Sequence, residues 1–303
     1  VQDGGQWDMI VSLIKKYGVV PKTVMPETYQ SSHTRDMNGI INKKIRQFNS
    51  KIRSLDDDGI AKLKDKTLEE LYTFLCTCFG IPPKQFDFEY VDEDGKYHIV
   101  KDLTPHQFYD EYVGIDLDDY VSITNAPTKD KPFNHTFTVN YIGNVVGGNP
   151  VRYLNLDLPD FKAAVLKQLK DYQVVWFGSD CGKDGDREGG TWDNNAYDYE
   201  TAFGFDLGMT KEEMLDNRQA AMNHAMVITG VNLDGEQPTK WKIENSWGPD
   251  KANKGYYVMS DSWFDLYVFQ AVVNKKYLTK EQLEALESDP IELNPWDPMG
   301  TLA

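Results

Sequence analysis

Cysteine is scarce in this chain, with three among 303 residues. Three thiols cannot pair completely, which excludes a secreted disulfide framework and leads us to expect a reducing, cytoplasmic setting. Metal-ligand spacing is also missing. His33, His98, His106 and His135 are scattered, no Cys/His pair has zinc-site spacing, and we expect no metal and no cofactor. Positive charge is in short supply: 32 Lys and Arg stand against 48 Asp and Glu, a net charge of −16. That balance argues against nucleic acid or an anionic membrane as a partner. No uncharged apolar run approaches the ~20 residues of a bilayer span, and no basic targeting stretch leads the chain. The first residue is Val1, not Met, so we expect these residues to be the remainder of a longer chain. What is present, 40% apolar and 13% aromatic residues, is the composition of a globular protein with one large core or two moderate ones.

The chain is organised around the stretch from Asn223-His224-Ala225 to Asn245-Ser246-Trp247-Gly248. Two apolar, β-branched runs flank Leu233-Asp234-Gly235-Glu236, the pattern of a β-hairpin. His224 opens the first strand and Asn245 closes the second, so the hairpin lays them side by side. An amide oxygen on one ring nitrogen fixes the tautomer and leaves the other nitrogen free for chemistry. Trp247 is placed to cover that bond. Taken singly, a His at a strand start and an Asn-x-Trp-Gly turn are ordinary structural pieces; together they are specific. They resemble the His and Asn half of the papain-like cysteine peptidases, which implies a thiolate nucleophile paired with His224.

Upstream, apolar residues at 9, 10, 13, 14 and 17 predict a helix ended by Gly18. Gly4 and Gly5 precede it, where papain-like enzymes use a Gly-Gly pair as one wall of the substrate groove. Residues 37–55 predict a basic amphipathic helix with Ile40, Ile41, Ile45, Phe48 and Ile52 on its core stripe. A second helix, capped at Thr67, runs to Phe79. A hairpin over 86–100 and a helix from Thr104-Pro105 to Tyr112 follow. From Phe133 strands dominate, interrupted by a helix over 159–170. Residues 184–199 read as a surface loop, and 211–220 as a short helix delivering the chain to His224. Strands at 256–259 and 268–273, a helix at 279–287 and an extended tail from Pro290 complete the chain.

The papain-like signature, Cys-Gly-Ser-Cys-Trp, puts the reactive Cys at a helix N-terminus, where the dipole stabilises a thiolate. Cys76-Thr77-Cys78-Phe79 matches in part, and 146 residues separate Cys78 from His224, within the expected ~130–150. Yet Cys78 sits near the C-terminal end of its helix, and Tyr72 stands where a Gln is required. Cys76 and Cys78 therefore read as buried core residues. Cys181 follows a strand and precedes no apolar helix.

Further runs narrow the resemblance to the bleomycin hydrolase and bacterial aminopeptidase C family. They are Gln2-Asp3-Gly4-Gly5-Gln6-Trp7-Asp8, Gly80-Ile81-Pro82-Pro83, Trp176-Phe177-Gly178, Asn223-His224-Ala225-Met226, Glu244-Asn245-Ser246-Trp247-Gly248 and Pro295-Trp296-Asp297-Pro298-Met299-Gly300. The resemblance implies an α+β, two-lobe papain-like fold and cysteine-type aminopeptidase activity on peptides with a free N-terminus. It also implies a nucleophilic Cys and an oxyanion Gln in an N-terminal segment outside this chain, and a homohexamer. On that basis 1–29 would be the remainder of the helical lobe and 30–130 a mixed helix and hairpin insertion. Residues 131–275 would form the β-barrel lobe with His224 and Asn245, and 276–303 a helix and active-site tail. In this family the final carboxylate, here on Ala303, receives the substrate's α-ammonium; Trp296 and Met299 would anchor the tail. Two other classes stay open: a non-catalytic papain-like binding module that has lost its thiol, and a metal-dependent hydrolase using His224 with nearby Asp residues.

Overall fold

The computed structural model describes residues 4–302, and these fall into two compact units. One comprises Leu13–Ile115; the other comprises Gly4–Ser12 and the chain from Asp116 onward. Helix α1 (Trp7–Tyr17) closes at Gly18, whose N–H reaches the Ile14 carbonyl at 2.7 Å.

In the unit Leu13–Ile115, the short α2 (Tyr29–Ser32) precedes α3 (Arg35–Ile52) and α4 (Asp57–Phe79). These last two pack against each other through Met37, Ile41 and Cys78, with Ile45, Leu71 and Phe74 partly buried around them. Ile40, expected on the core stripe, is exposed. Helix α4 begins ten residues before the expected Thr67 start. Asp56 accepts the Gly59 N–H at 2.9 Å, and Asp57 and Asp58 place negative charge in the first turn, a stronger start signal than an interior Thr. Strands β1 (Phe86–Val91) and β2 (Tyr97–Leu103) form an antiparallel hairpin. Thr104 then caps α5 (Pro105–Phe108), which a single wider turn extends to Val113. Phe86, Leu103 and Phe108 make a second small cluster.

The other unit is built on one mixed sheet. Its strands are β3 (Tyr120–Thr124), β4 (His135–Val139), β5 (Tyr153–Asn155), β6 (Val175–Ser179), β7 (Gly185–Asp186) and β8 (Thr191–Trp192). They continue with β9 (His224–Asp234), β10 (Gln237–Glu244), β11 (Tyr256–Ser260), β12 (Val268–Asn274) and β13 (Ile291–Leu293). The order across the sheet is β13-β4-β5-β3-β12-β6-β9-β10-β11-β8-β7. Helix α6 (Leu158–Lys170), capped by Asp157, lies against β6, β9 and β12. Helices α7 (Tyr199–Phe203) and α8 (Lys211–Asp216) come before β9. Helix α9 (Asp261–Tyr267) covers β10, β11 and β12, and α10 (Lys280–Glu287) lies on β4 and β5. Trp241 stacks on Phe264 at 4.6 Å between ring centres, and Phe161 meets the same ring. This is the α+β construction expected from the sequence.

Two stretches differ from expectation. The 184–199 segment is not simply a surface loop: β7 and β8 pair within it, and β8 joins β11 in parallel. Trp192 is almost fully buried there and donates its indole N–H to the Cys181 carbonyl at 3.2 Å, so one aromatic anchor overrides a Gly- and Asp-rich composition. The tail is pinned rather than merely extended, because β13 pairs in parallel with β4. Its apolar anchors are Met299 and Leu302; Trp296 is exposed.

Candidate active site

Strand β6 aligns the start of β9, with Ser179 opposite His224. Strand β10 returns antiparallel to β9 after the two-residue turn Gly235-Glu236. Gly235 has φ +61°, a conformation an L side chain rarely adopts. The return brings Asn245 level with His224. Nε2 of the imidazole lies 2.9 Å from Oδ1 of Asn245. The same Oδ1 also accepts the Ser246 N–H at 2.8 Å, and a backbone N–H can only donate. The atom facing the ring is therefore the amide oxygen, Nε2 carries a proton, and Nδ1 is left for chemistry. Asn245 is itself buried, and its own N–H donates to the Gly255 carbonyl at 3.0 Å.

Trp247 stacks on His224, with ring centres 5.0 Å apart and planes 23° from parallel. Tyr257 and Trp192 meet Trp247 edge-on at 5.7 and 6.3 Å. An apolar plate thus covers the His–Asn pair, lowering the local dielectric and strengthening that bond. The expected trio of His224, Asn245 and Trp247 is one constellation.

A carboxylate that sequence reasoning passed over secures the approach to β9. Asp180 is 4% exposed. Its Oδ1 accepts from the Asn223 amide at 2.5 Å and the Gly182 N–H at 3.2 Å, and its Oδ2 accepts the Ala221 N–H at 3.2 Å. Asn223 in turn accepts the Cys181 N–H at 3.1 Å. Two of these three donors belong to the residues immediately before His224, which the buried carboxylate holds in place. Nothing in the linear sequence marks Asp180, because two of its three partners lie some forty residues away.

The tail reaches the same place. Thr301 donates its hydroxyl to the Met222 carbonyl at 2.8 Å. A side chain on Gly178 would meet Met222 at 2.9 Å and Leu302 at 3.3 Å, so the bare Gly178 leaves room for Leu302 beside the strand that carries His224. Ala303 lies outside the described residues. Gly4 is exposed, and Gly5 is half-buried with nothing within 4 Å of where a Cβ would stand. Among the described residues, no neighbour of Gly5 requires the missing side chain.

The three thiols occupy unlike settings. Cys78 is buried against Met37 and Ile41, as expected; Cys76 is only half-buried, beside the Tyr72 hydroxyl. Cys181 is buried, and burial pushes its thiol pKa up, only partly opposed by Arg187. A raised pKa keeps the less nucleophilic thiol form.

The family model for the peptidase C1-like family matches residues 1–300. The chain is 50% identical over 309 residues to aminopeptidase C of Lactobacillus delbrueckii subsp. lactis, spanning 99% of this chain and 69% of that protein. It is 42% identical over 312 residues to mouse bleomycin hydrolase, with the same two shares. The crystal structure of pepw from Lactobacillus rhamnosis hn001 superposes with a TM-score of 0.96 at 51% identity, over 99% of this chain and 69% of that one. With a papain-like α+β fold, this chain belongs to the peptidase C1-like family of cysteine peptidases.

Proposed function

We propose that this chain carries the imidazole half of a cysteine aminopeptidase. The observation that carries this reading is the bond from Nε2 of His224 to Oδ1 of Asn245 beneath Trp247. Asn245 holds the ring in one tautomer and orientation, and Nδ1 takes the proton of a cysteine thiol. The thiolate attacks the carbonyl carbon of the first peptide bond. As the tetrahedral intermediate collapses, imidazolium returns its proton to the departing amine. Water, activated by the same nitrogen, then cleaves the thioester and frees the thiolate. Cys78 in a helix–helix core, Cys76 at the C-terminal end of the same helix and Cys181 with its raised pKa are poor candidates, so the reading places the nucleophile in a segment beyond these 303 residues. Gly4 and Gly5 would offer bare backbone to an extended peptide. Within this reading the homohexamer rests on the family resemblance and the cytoplasmic setting on the scarcity of cysteine.

Two substitutions in the complete protein test the proposal together. His224→Ala should lower kcat about 10³-fold or more, while a Cys76→Ser, Cys78→Ser, Cys181→Ser triple variant should keep hydrolysing. Substantial turnover by the His224→Ala protein would sink the assignment. Turnover lost from a folded triple variant would place the nucleophile inside this chain.

The aminopeptidase character is assigned to the tail. Thr301 and Leu302 lie against Met222 and Gly178, which supports a terminal carboxylate on Ala303 meeting the substrate's α-ammonium. Such a charge-assisted hydrogen bond is worth roughly 1.5–3 kcal/mol, about 10- to 150-fold in kcat/KM. Removing Thr301-Leu302-Ala303 should cost that factor on free N-termini and admit N-blocked peptides. Rates unchanged on both substrate types would leave the tail without this role.

A further inference from the structure

Trp247 has a second partner. The guanidinium carbon of Arg187 stands 5.5 Å from the centre of its ring, on the indole that is stacked on His224. A methyl group placed on Gly182 would lie 3.8 Å from the Arg187 guanidinium and 3.6 Å from the Asn223 amide. The Asp180 carboxylate is nearer still, 3.3 Å from that methyl, so the cation, the buried carboxylate and the residue preceding His224 all border Gly182. The turn presenting it is built, not loose. Asp186 accepts the N–H groups of Glu188 and Gly189 at 3.1 and 2.9 Å, closing the backbone around Arg187. Gly185 and Asp186 pair with Trp192 and Thr191, and Trp192 is buried.

Two facts make this cation unusual. The chain carries a net charge of −16, yet among the described residues no carboxylate lies within ion-pair distance of Arg187. It is also exposed. A guanidinium stacked on an aromatic wall loses little freedom when it takes up an anion, and its planar fork matches a carboxylate.

The proposed reaction sets the direction. His224 hands its proton to the departing amine, so the leaving fragment runs from that nitrogen past the imidazole and the wall Trp247 makes beside it. Arg187 stands at that wall. We infer that Arg187 is a specificity-determining residue that binds a carboxylate carried by the leaving fragment. The favoured substrates are then short peptides with a negative charge one residue beyond the scissile bond. This inference rests on the aminopeptidase reading above.

The test compares three substrates with the complete protein: leucyl-glycine, leucyl-glycinamide and leucyl-aspartic acid α-amide. Wild-type kcat/KM should favour leucyl-glycine over its amide about 5- to 10-fold, the effect of one ion pair at an accessible site. Added salt should erode the preference. Arg187→Gln should bring the ratio to about one; Arg187→Lys should keep part of it. If the aspartyl amide shares the preference, a side-chain carboxylate serves; if it does not, the bound group is the α-carboxylate. A wild-type enzyme indifferent to the carboxylate, or a preference that survives Arg187→Gln, overturns the assignment and leaves the reaction standing. A His224→Ala control that still hydrolyses all three would overturn the reaction, and this inference with it.

Discussion

The two compact units bury their apolar side chains in contrasting ways. In the unit that holds His224, one cluster runs from Ile123 through Trp192, Trp241 and Phe264 to Leu302, and many of its members have no exposed surface. In Leu13–Ile115 there are two separate clusters of three buried residues each, and none is fully enclosed. A sheet covered by α6 and α9 has room for large aromatic rings; a helix pair or a lone hairpin has only a stripe or one face. The proposed chemistry depends on ring positions held to fractions of an ångström, and it lies in the unit with the continuous core. Burial and precision go together here because each fixed side chain is the wall for the next.

The sharpest way to break that comparison is a matched pair of truncations. Trp263→Ala in the large cluster should destabilise by about 3–5 kcal/mol, whereas Ile41→Ala in the small one should cost about 2 kcal/mol or less, since Ile41 borders solvent and its surroundings can close up. Urea unfolding of both variants measures the difference. Equal costs would mean that the two units are packed alike.

A subtler cut lies at the end of the hairpin. Asn245→Ala should leave the large core intact, because β9 and β10 stay paired by their backbones. It should still lower kcat about 10- to 100-fold with KM little changed, since ring orientation counts mainly in the transition state. A change confined to KM would show that Asn245 serves substrate binding instead.

The smallest effect concerns a cation inside the large core. The ammonium of Lys211 is buried, donating to Oδ1 of Asn125 at 2.9 Å and to the Val268 carbonyl at 2.6 Å. Burial brings its pKa down from 10.5 to about 7, with Asp265 opposing the shift and Lys162 adding to it. The folded pKa is the depressed one, so between about pH 7 and 10.5 the unfolded chain holds the extra proton. Stability should then climb with pH across that window, by at most about 1.4 kcal/mol per unit. Unfolding measured at pH 7, 8 and 9 should show this rise in the wild type and a flatter line in Lys211→Met. Parallel slopes would remove Lys211 as the source.

How much of this could be read from the residues follows the range of the interactions involved. His224, Asn245 and Trp247 were legible because a two-residue turn brings them together, and both the turn and the alternating strands around it are short-range features. The start of α4 was misplaced because Thr67 and Glu70 imitate a cap, whereas Asp56 with two further acids is a stronger one ten residues earlier. Trp192 and Asp180 could not be read at all. A Trp in a Gly-rich stretch looks the same in sequence whether it faces water or fills a core, and two of the three donors to Asp180 arrive from the distant segment that precedes β9. Ile40 shows the limit of periodicity, since helical spacing defines a face without saying how wide the covering partner will be.

The order of the large sheet carries a consequence for self-association. Its two outermost strands, β7 with two residues and β13 with three, are among the shortest it has. An unpaired border invites another chain to add a strand, and short borders offer too few free N–H and C=O groups to hold one. Glu292 adds an exposed charge to one border, and Asp186 adds one to the other. Copies of this protein that meet at either border of this sheet would therefore have to recognise side-chain surfaces rather than extend its ladder.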